Sequence, residues 1–395
     1  MKITILGAYQ TKFGELWDKS LKDLSSEAAF GAVEDAGVLF KDIQTAYFGN
    51  KMSPQITGQN HVGSLLAEIL GTDIPITRIE AACASGGSAV RQACMAIESG
   101  QYETALVLGA EKMTDLAISE ISVGLMGAAS EQERESGLSF VGLYALMARK
   151  YFDKYGAGEK DLAAIAVKNH FHGSLNPKAQ FPFVLTIDQV MASSMVADPL
   201  KLLDCSPITD GAAGLVLASE KYAKKLGSKK PVIIASKQAS DTLSLSKRKD
   251  LTSLAGAEKA AGEAYRQAGV EAKDIEFAEV HDCFTIAEAM ALEDLGFCKK
   301  GEGYIAVGKG KTRLGGERAI NLSGGLKACG HPVGATGVKQ LVEVYSQMMG
   351  RAGKRQTKKN KLALTHNIGG TGGTAVVHIV RSAKCKAQSE KSKKE

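Results

Sequence analysis

Proline is scarce in this chain of 395 residues, with only eight, and aromatic residues make up only 6%. Few stiff linkers are therefore expected. No Cys-x-x-Cys pair occurs, and the seven cysteines are an odd set spread widely from Cys83 to Cys385. That pattern speaks against a disulfide framework and against a structural zinc site. No apolar run approaches the ~18 residues of a membrane span. The N-terminal run, Ile3 to Ala8, is interrupted by Thr4 and is too short for a secretory signal. Broad charge of one sign is missing too. The formal net charge is +6, and +4 of it falls between Arg381 and Glu395, where six basic residues meet two acidic ones. The remaining +2 on the body implies no nucleic-acid surface. The expectation is a cytoplasmic protein with neither nucleic acid nor membrane as partner.

What is abundant is glycine, with 43 residues, in an otherwise ordinary globular composition of 44% hydrophobic and 23% charged residues. The length fits two or three domains. Within it the chain repeats itself. Residues 32–49 (AVEDAGVLFKDIQTAYFG) and 264–281 (AYRQAGVEAKDIEFAEVH) agree at eight of eighteen positions at an offset of 232. Both read as a helix stopped at Ala-Gly, a short loop and a strand. ACASGGSAVRQA and ACGHPVGATGVKQL superpose at an offset of 248, which sets Cys83 on His331. ALVLGAEKM (105–113) and LALTHNIGG (362–370) form a weaker third pair, in the same order. Three ordered pairs predict a duplicated α/β unit with a layered sheet. Residues 115–193 have no counterpart and read as an inserted cap, with GLYALMARKYFDKYG helical and NHFHGSLNPKAQFPF loop-like. The expected division is 1–114 and 194–228 for the first half, 115–193 for the cap, 229–382 for the second half and 383–395 for a disordered basic tail.

Four loops carry residues suited to chemistry. Cys83 precedes a Gly-rich helix start, with small neighbours Ala82, Ala84 and Gly86. The positive end of a helix dipole favours thiolate, so a lowered pKa and a nucleophile are expected, against the alternative of an inert core thiol. Cys94, on the same helix, reads as core. His331 sits in GGLKACGHPVGATG, where Pro332 and the glycines predict a rigid loop, either purely structural or holding a base for a thiol. Cys329 is assigned to packing. EVHDCF places His281 and Cys283 at the C-terminal end of a strand, where α/β proteins put their chemistry. Asp282 is expected to cap the following helix or to orient a neighbour, and Phe284 to pack in the core. LTHNIGG ends the last strand with Asn367 and Gly369, an amide and free N–H groups of the kind that form an oxyanion hole. His170 and His172 are candidates for lining a substrate path through the cap, and Met126 and Met147 read as apolar filling in preference to that role.

Together, the Cys83 loop, HDCF at 281–284, GHP at 330–332 and the duplicated halves resemble a thiolase. HDCF and HNIGG are similar to the sterol-carrier-protein-type thiolases. EAACASGG and LLDCSPITDGAA are similar to the archaeal and bacterial acetoacetyl-CoA thiolases of that group. The resemblance spans nearly the whole chain, apart from the tail. It implies five layers, α-β-α-β-α, and reversible CoA-dependent Claisen condensation and thiolysis. It implies Cys83 as the acylated nucleophile and His331 as its base. His281 would help to hold the first oxyanion hole, and the N–H groups of Cys83 and Gly369 would form the second. Many thiolases have a cysteine where this chain has Asn367, so the second acid/base falls to Cys283. No cofactor is implied, coenzyme A being a substrate. The implied partners are acyl-CoA and CoA, further copies in a dimer or tetramer, a small acyl-CoA-binding protein with an OB-fold and zinc ribbon, and a hydroxymethylglutaryl-CoA synthase. Rival readings are a thiolase for larger or aryl-substituted 3-oxoacyl-CoA, a decarboxylating ketoacyl synthase, and a non-catalytic acyl-CoA-binding subunit.

Overall fold

The Ala-Gly stops of the repeat are helix ends. In the computed structural model, which describes residues 1–383, helix α1 (Leu21–Ala36) ends at Gly37 with φ +71°. The left-handed turn there costs glycine nothing, and the repeat uses it again at the matching position. Residues 384–395, and with them Cys385 and nearly all of the predicted disordered tail, lie outside the described residues.

The first half runs β1 (Ile3–Gln10), α1, β2 (Ala46–Gly49), α2 (Ser53–Ile56), α3 (Val62–Leu70), β3 (Ile76–Ile79), α4 (Ser85–Glu98) and β4 (Thr104–Glu111). Helices α5 (Ile118–Met126), α6 (Glu131–Glu135), α7 (Phe140–Tyr155), α8 (Glu159–Ser174) and α9 (Ile187–Ala192) follow, with the short strands β5 (Met195–Ala197) and β6 (Leu200–Lys201). Strand β7 (Gly211–Ser219) and α10 (Glu220–Lys225) complete the half. The second half runs β8 (Val232–Ser240), α11 (Ala255–Ala268), β9 (Phe277–Glu279), α12 (Thr285–Asp294), α13 (Gly303–Gly308), β10 (Ala319–Ile320), α14 (Gly325–Cys329), α15 (Thr336–Met349), β11 (Leu362–Gly369) and β12 (Thr374–Arg381).

Ten strands hydrogen-bond in the order β10-β9-β11-β12-β8-β1-β7-β4-β2-β3. The join between the halves is thin: β1 and β8 share only the pairs Ile3–Ile233 and Thr4–Val232. Each half is therefore a five-strand sheet of the same order, folded over a shared middle layer. Helices α4 and α15 make that layer, packing on each other and on strands of both halves. Helix α1 covers the outer face of the first sheet and α11 that of the second.

Strand alternation builds the layers. In β4, Ala105 and Val107 face the middle core, with Val90 of α4 and Leu341 of α15. Leu106 and Leu108 face the outer core, with Ala28 and Ala32 of α1. The arrangement is the expected α-β-α-β-α.

Two readings of the sequence need correction. Residues 169–174 of the stretch read as a loop continue α8, because His172 and its neighbours pack against the second half instead of solvent. The second repeat pair is shifted by three residues: α4 and α15 start 251 residues apart, not 248. Cys83 stands two residues before its helix and His331 five, so the thiol is seated at a helix terminus and the imidazole on a longer loop.

Candidate active site

The turn that presents Cys83 is held by its own sequence. Ala82 has φ +52°, an uncommon left-handed conformation for a residue with a side chain. Ser85 pins it from both sides, accepting from the Ala81 N–H at 2.9 Å and donating to the Ala82 carbonyl at 2.6 Å. The thiol then faces a cavity of about 180 Å³, walled mostly by apolar groups. The cap contributes Ile118, Leu125, Phe140, Val141 and Tyr144, and the second half contributes Cys283, Phe284, His331, Val333 and Gly370.

The thiol of Cys83 and ring nitrogens of His281 and His331 all lie within 4.8 Å of one another. The two rings meet edge to face at 5.1 Å. Their hydrogen bonds fix opposite tautomers. Thr336 donates its hydroxyl to the Pro332 carbonyl at 3.0 Å, so its oxygen accepts from Nδ1–H of His331 at 2.7 Å. Nε2 of His331 is then a free base. Asn367 is oriented by two unambiguous backbone partners: its Oδ1 accepts from Gly87 N–H at 3.1 Å and its Nδ2 donates to the Cys83 carbonyl at 2.9 Å. The same Nδ2 donates to Nδ1 of His281 at 3.1 Å. The proton of His281 therefore sits on Nε2, which is buried and has no partner among the described residues. One histidine offers a lone pair and the other an N–H. That pairing suits proton transfer and anion stabilisation. It does not suit a cation, which would need the His281 and Cys83 protons removed first.

Burial dominates the electrostatics. It pushes the Cys83 thiol up to about 11, although the Lys51 charge and the Gly370 N–H both pull it down. The expected lowering of this thiol is thus overturned: desolvation under the cap outweighs the groups that favour thiolate. Burial also pushes His331 down to about 3, with the Lys339 charge adding to the effect, and holds His281 well below its usual value. Burial thus favours the neutral form of both Cys83 and His331.

The other sequence candidates fall around this centre. Cys283 is buried at the cavity wall. Asn367 stands behind His281. Gly369 ends β11 paired with Thr374, and its neighbour Gly370 is the residue that lines the cavity and donates its N–H to Cys83. Asp282 does not cap α12. Its carboxylate accepts from the N–H groups of Leu326 and Lys327 at 2.7 and 3.2 Å and from Asn169 Nδ2 at 2.7 Å, tying the 281–283 loop to α14 and the cap. Phe284 packs on Tyr144, with ring centroids 4.6 Å apart. Cys94 and Cys329 are core residues.

His170 and His172 do not line the cavity. His170 packs among Phe181 and Phe183, and Nδ1 of His172 pairs with the Asn321 carbonyl at 3.0 Å. Met126 and Met147 fill the core beneath the cap. Sequence reasoning missed Tyr144 and Cys205 at the cavity. Tyr144 lies in a segment read as helical, where one aromatic at helical spacing carries no further signal.

Residues 3–221 match the family described as "Thiolase, N-terminal domain", and residues 237–382 match "Thiolase C-terminal domain-like". The acetyl-CoA acetyltransferase of Methanothermobacter thermautotrophicus is 48% identical over 380 residues, covering 95% of this chain and 98% of that protein. Its namesake in Methanocaldococcus jannaschii is 46% identical, covering 96% and 98%. The solved structure of an Ltp2–ChsH2(DUF35) aldolase superposes with a TM-score of 0.84 at 23% identity, covering 98% of this chain and 99% of that one, a likeness of fold. No helix among the described residues is long and apolar enough to cross a membrane. A cysteine turn from one half, two histidines of opposite tautomer from the other, and family matches that take in both halves lead to one assignment: the chain belongs to the thiolase family.

Proposed function

We propose that this protein is an acetyl-CoA C-acetyltransferase, interconverting two acetyl-CoA with acetoacetyl-CoA and CoA through an acyl group on Cys83. The observation that carries the reading is the pair of opposite histidine tautomers around Cys83. In thiolysis, Nε2 of His331 takes the Cys83 proton as the sulfur attacks the 3-oxo carbon. The new oxyanion accepts from Nε2–H of His281, a donor held in place by Asn367 before the reaction begins. The carbon–carbon bond breaks, and Cys283 protonates the α-carbon of the departing enolate. Incoming CoA gives its thiol proton to the Cys283 thiolate and takes the acyl group, and the departing Cys83 sulfur recovers its proton from His331. The second oxyanion is placed at the Cys83 N–H and the 369–370 turn, where Gly370 N–H already points at the sulfur. No resident cofactor enters the scheme, since CoA is a substrate.

A short acyl group is favoured by the Tyr144 and Phe284 rings, which wall an apolar cavity of about 180 Å³. The two archaeal relatives named acetyl-CoA acetyltransferase support the same substrate. The aldolase of like fold is solved together with ChsH2(DUF35), and the reading includes a partner subunit for this chain.

A steady-state panel of acetoacetyl-CoA, longer 3-oxoacyl-CoAs and an aryl 3-oxoacyl-CoA, with and without a candidate partner, tests the proposal. Intact mass after acetyl-CoA treatment is the companion measurement. The expected result is the highest kcat/KM with acetoacetyl-CoA and one acetyl group on Cys83. Preference for a long or aryl chain, or no acyl adduct, would contradict it.

A further inference from the structure

Tyr144 is fully buried on α7 of the cap, yet its hydroxyl reaches the reacting groups. It donates to the Gly370 carbonyl at 3.1 Å, and its ring packs on Phe284, the residue after Cys283, in the wall of the cavity that Cys283 also lines. The N–H of that same Gly370 points at Cys83. One peptide group and one phenol therefore connect the two cysteines. A phenol has a single proton. While it is given to Gly370, the oxygen is free to accept from Cys283 S–H.

We propose that Tyr144 is the positioning residue for Cys283, turning its hydroxyl from the Gly370 carbonyl to the sulfur when Cys283 gives up its proton. The proposal rests on the functional reading above. In thiolysis, the Cys283 S–H bond breaks and a C–H bond forms at the α-carbon of the enolate. The S–H electron pair stays on sulfur as thiolate, and the phenol O–H turns to donate to it. When CoA thiol returns the proton, the S–H again donates to the phenol oxygen and the O–H again donates to Gly370. The phenol proton never leaves its oxygen.

The surroundings make such a donor necessary. The Cys283 thiolate would be buried, facing Cys83 across the cavity and Asp282 on its own loop, both of which disfavour negative charge. The nearby imidazoles of His281 and His331 are neutral, and Cys205 at the same cavity is a thiol pushed up by burial. Tyr144 and the Phe284 N–H are the groups that favour the thiolate. On the phenol's other side stands the Arg248 guanidinium, which bonds the Thr371 carbonyl at 2.6 Å and so fixes the turn beside Gly370.

The test is Tyr144→Phe in the full chain, which keeps the ring against Phe284. Two half-reactions are followed: acylation of Cys83 by acetyl-CoA, read by intact mass, and exchange of the acetyl-CoA methyl protons with deuterated solvent, read by NMR. Acylation should stay within about threefold. Exchange should fall about 10–100-fold, the worth of one hydrogen bond to a charged group. Its rise with pH should move to higher pH, because a thiol that loses a donor to its thiolate becomes a weaker acid. A ring-fluorinated tyrosine at 144, a stronger donor of nearly the same shape, should move that rise to lower pH, and it keeps the test open if the phenylalanine variant does not fold. Wild-type exchange and pH profile in both variants would overturn the proposal, as would equal loss of acylation and exchange in Tyr144→Phe. Wild-type protein that neither acylates nor exchanges would overturn the functional reading beneath it instead.

Discussion

The two halves of the molecule end their central strands in corners of the same design and opposite use. In the first half, Gly49 of β2 pairs with Gly109 of β4. In the second, β9 and β11 pair at Glu279 and Thr365, and the same register carried two residues further sets His281 beside Asn367. The repeat offset of 232 makes Gly49 the counterpart of His281.

The glycine corner is closed. The Gly334 carbonyl comes in against Gly49, Gly86 and Gly109, leaving no room for a Cβ at any of them. Buried Glu111 completes it, accepting from Lys51 N–H at 2.5 Å and Met52 N–H at 3.1 Å. The His–Asn corner is built from side chains instead, and a ring nitrogen of His281 lies within 4.8 Å of the Cys83 thiol. Duplication thus made one corner that seats the His331 loop by backbone packing and one that sets a histidine beside the Cys83 thiol. The halves are not redundant, since the first brings Cys83 to the cavity and the second brings Cys283, His331 and Gly370.

Alanine in the His–Asn corner strikes chemistry. His281→Ala removes the N–H aimed at the first oxyanion and should cost about 10²–10³ in kcat, as loss of one oxyanion donor does. Steady-state thiolysis of acetoacetyl-CoA measures it, and a loss under tenfold would make the two corners alike. Alanine in the closed corner strikes stability instead. Gly109→Ala forces a methyl into the Gly334 carbonyl, where both neighbours are backbone and neither yields easily. Such overpacking should cost about 3 kcal/mol or more, seen as a lower urea midpoint at unchanged slope. A variant as stable as wild type would mean that this corner is not packed shut.

The smallest effect is a pH profile. With the Cys83 thiol pushed up to about 11, its thiolate fraction rises tenfold per pH unit below that value. Alkylation of Cys83 by iodoacetamide should therefore climb about 100-fold from pH 7 to pH 9. A plateau across that range would mean a preformed thiolate–imidazolium pair, and the neutral forms favoured by burial would be wrong.

How much of this was legible depends on how local each signal is. The repeat, the Ala-Gly stops and the four loops were readable, because each rests on residues close together in the chain. The pairing of His281 with Asn367 was not, since it joins residues 86 apart. Nor were the tautomers, which depend on Thr336 and on Gly87 from the other half. The Cys83 thiol was misjudged because helix position is a local signal, whereas desolvation comes from a cap folded over it. His170 and His172 were misplaced for a related reason: a polar stretch was read as loop, and its partners, Phe181, Phe183 and the Asn321 carbonyl, come from other segments. Tyr144 gave no sign at all, since its role depends on Cys283 and Gly370, far along the chain.

The central claim is a division of labour, with acyl transfer at Cys83 and α-carbon proton transfer at Cys283. The direct measurement is Cys283→Ala treated with acetyl-CoA in deuterated solvent, with acyl-enzyme read by intact mass and methyl-proton exchange by NMR. The account predicts that the acetyl group still forms on Cys83, while exchange and carbon–carbon cleavage fall by about 10²–10⁴, the usual loss for one positioned acid/base. Full exchange and normal thiolysis in this variant would remove Cys283 from the reaction and contradict the account.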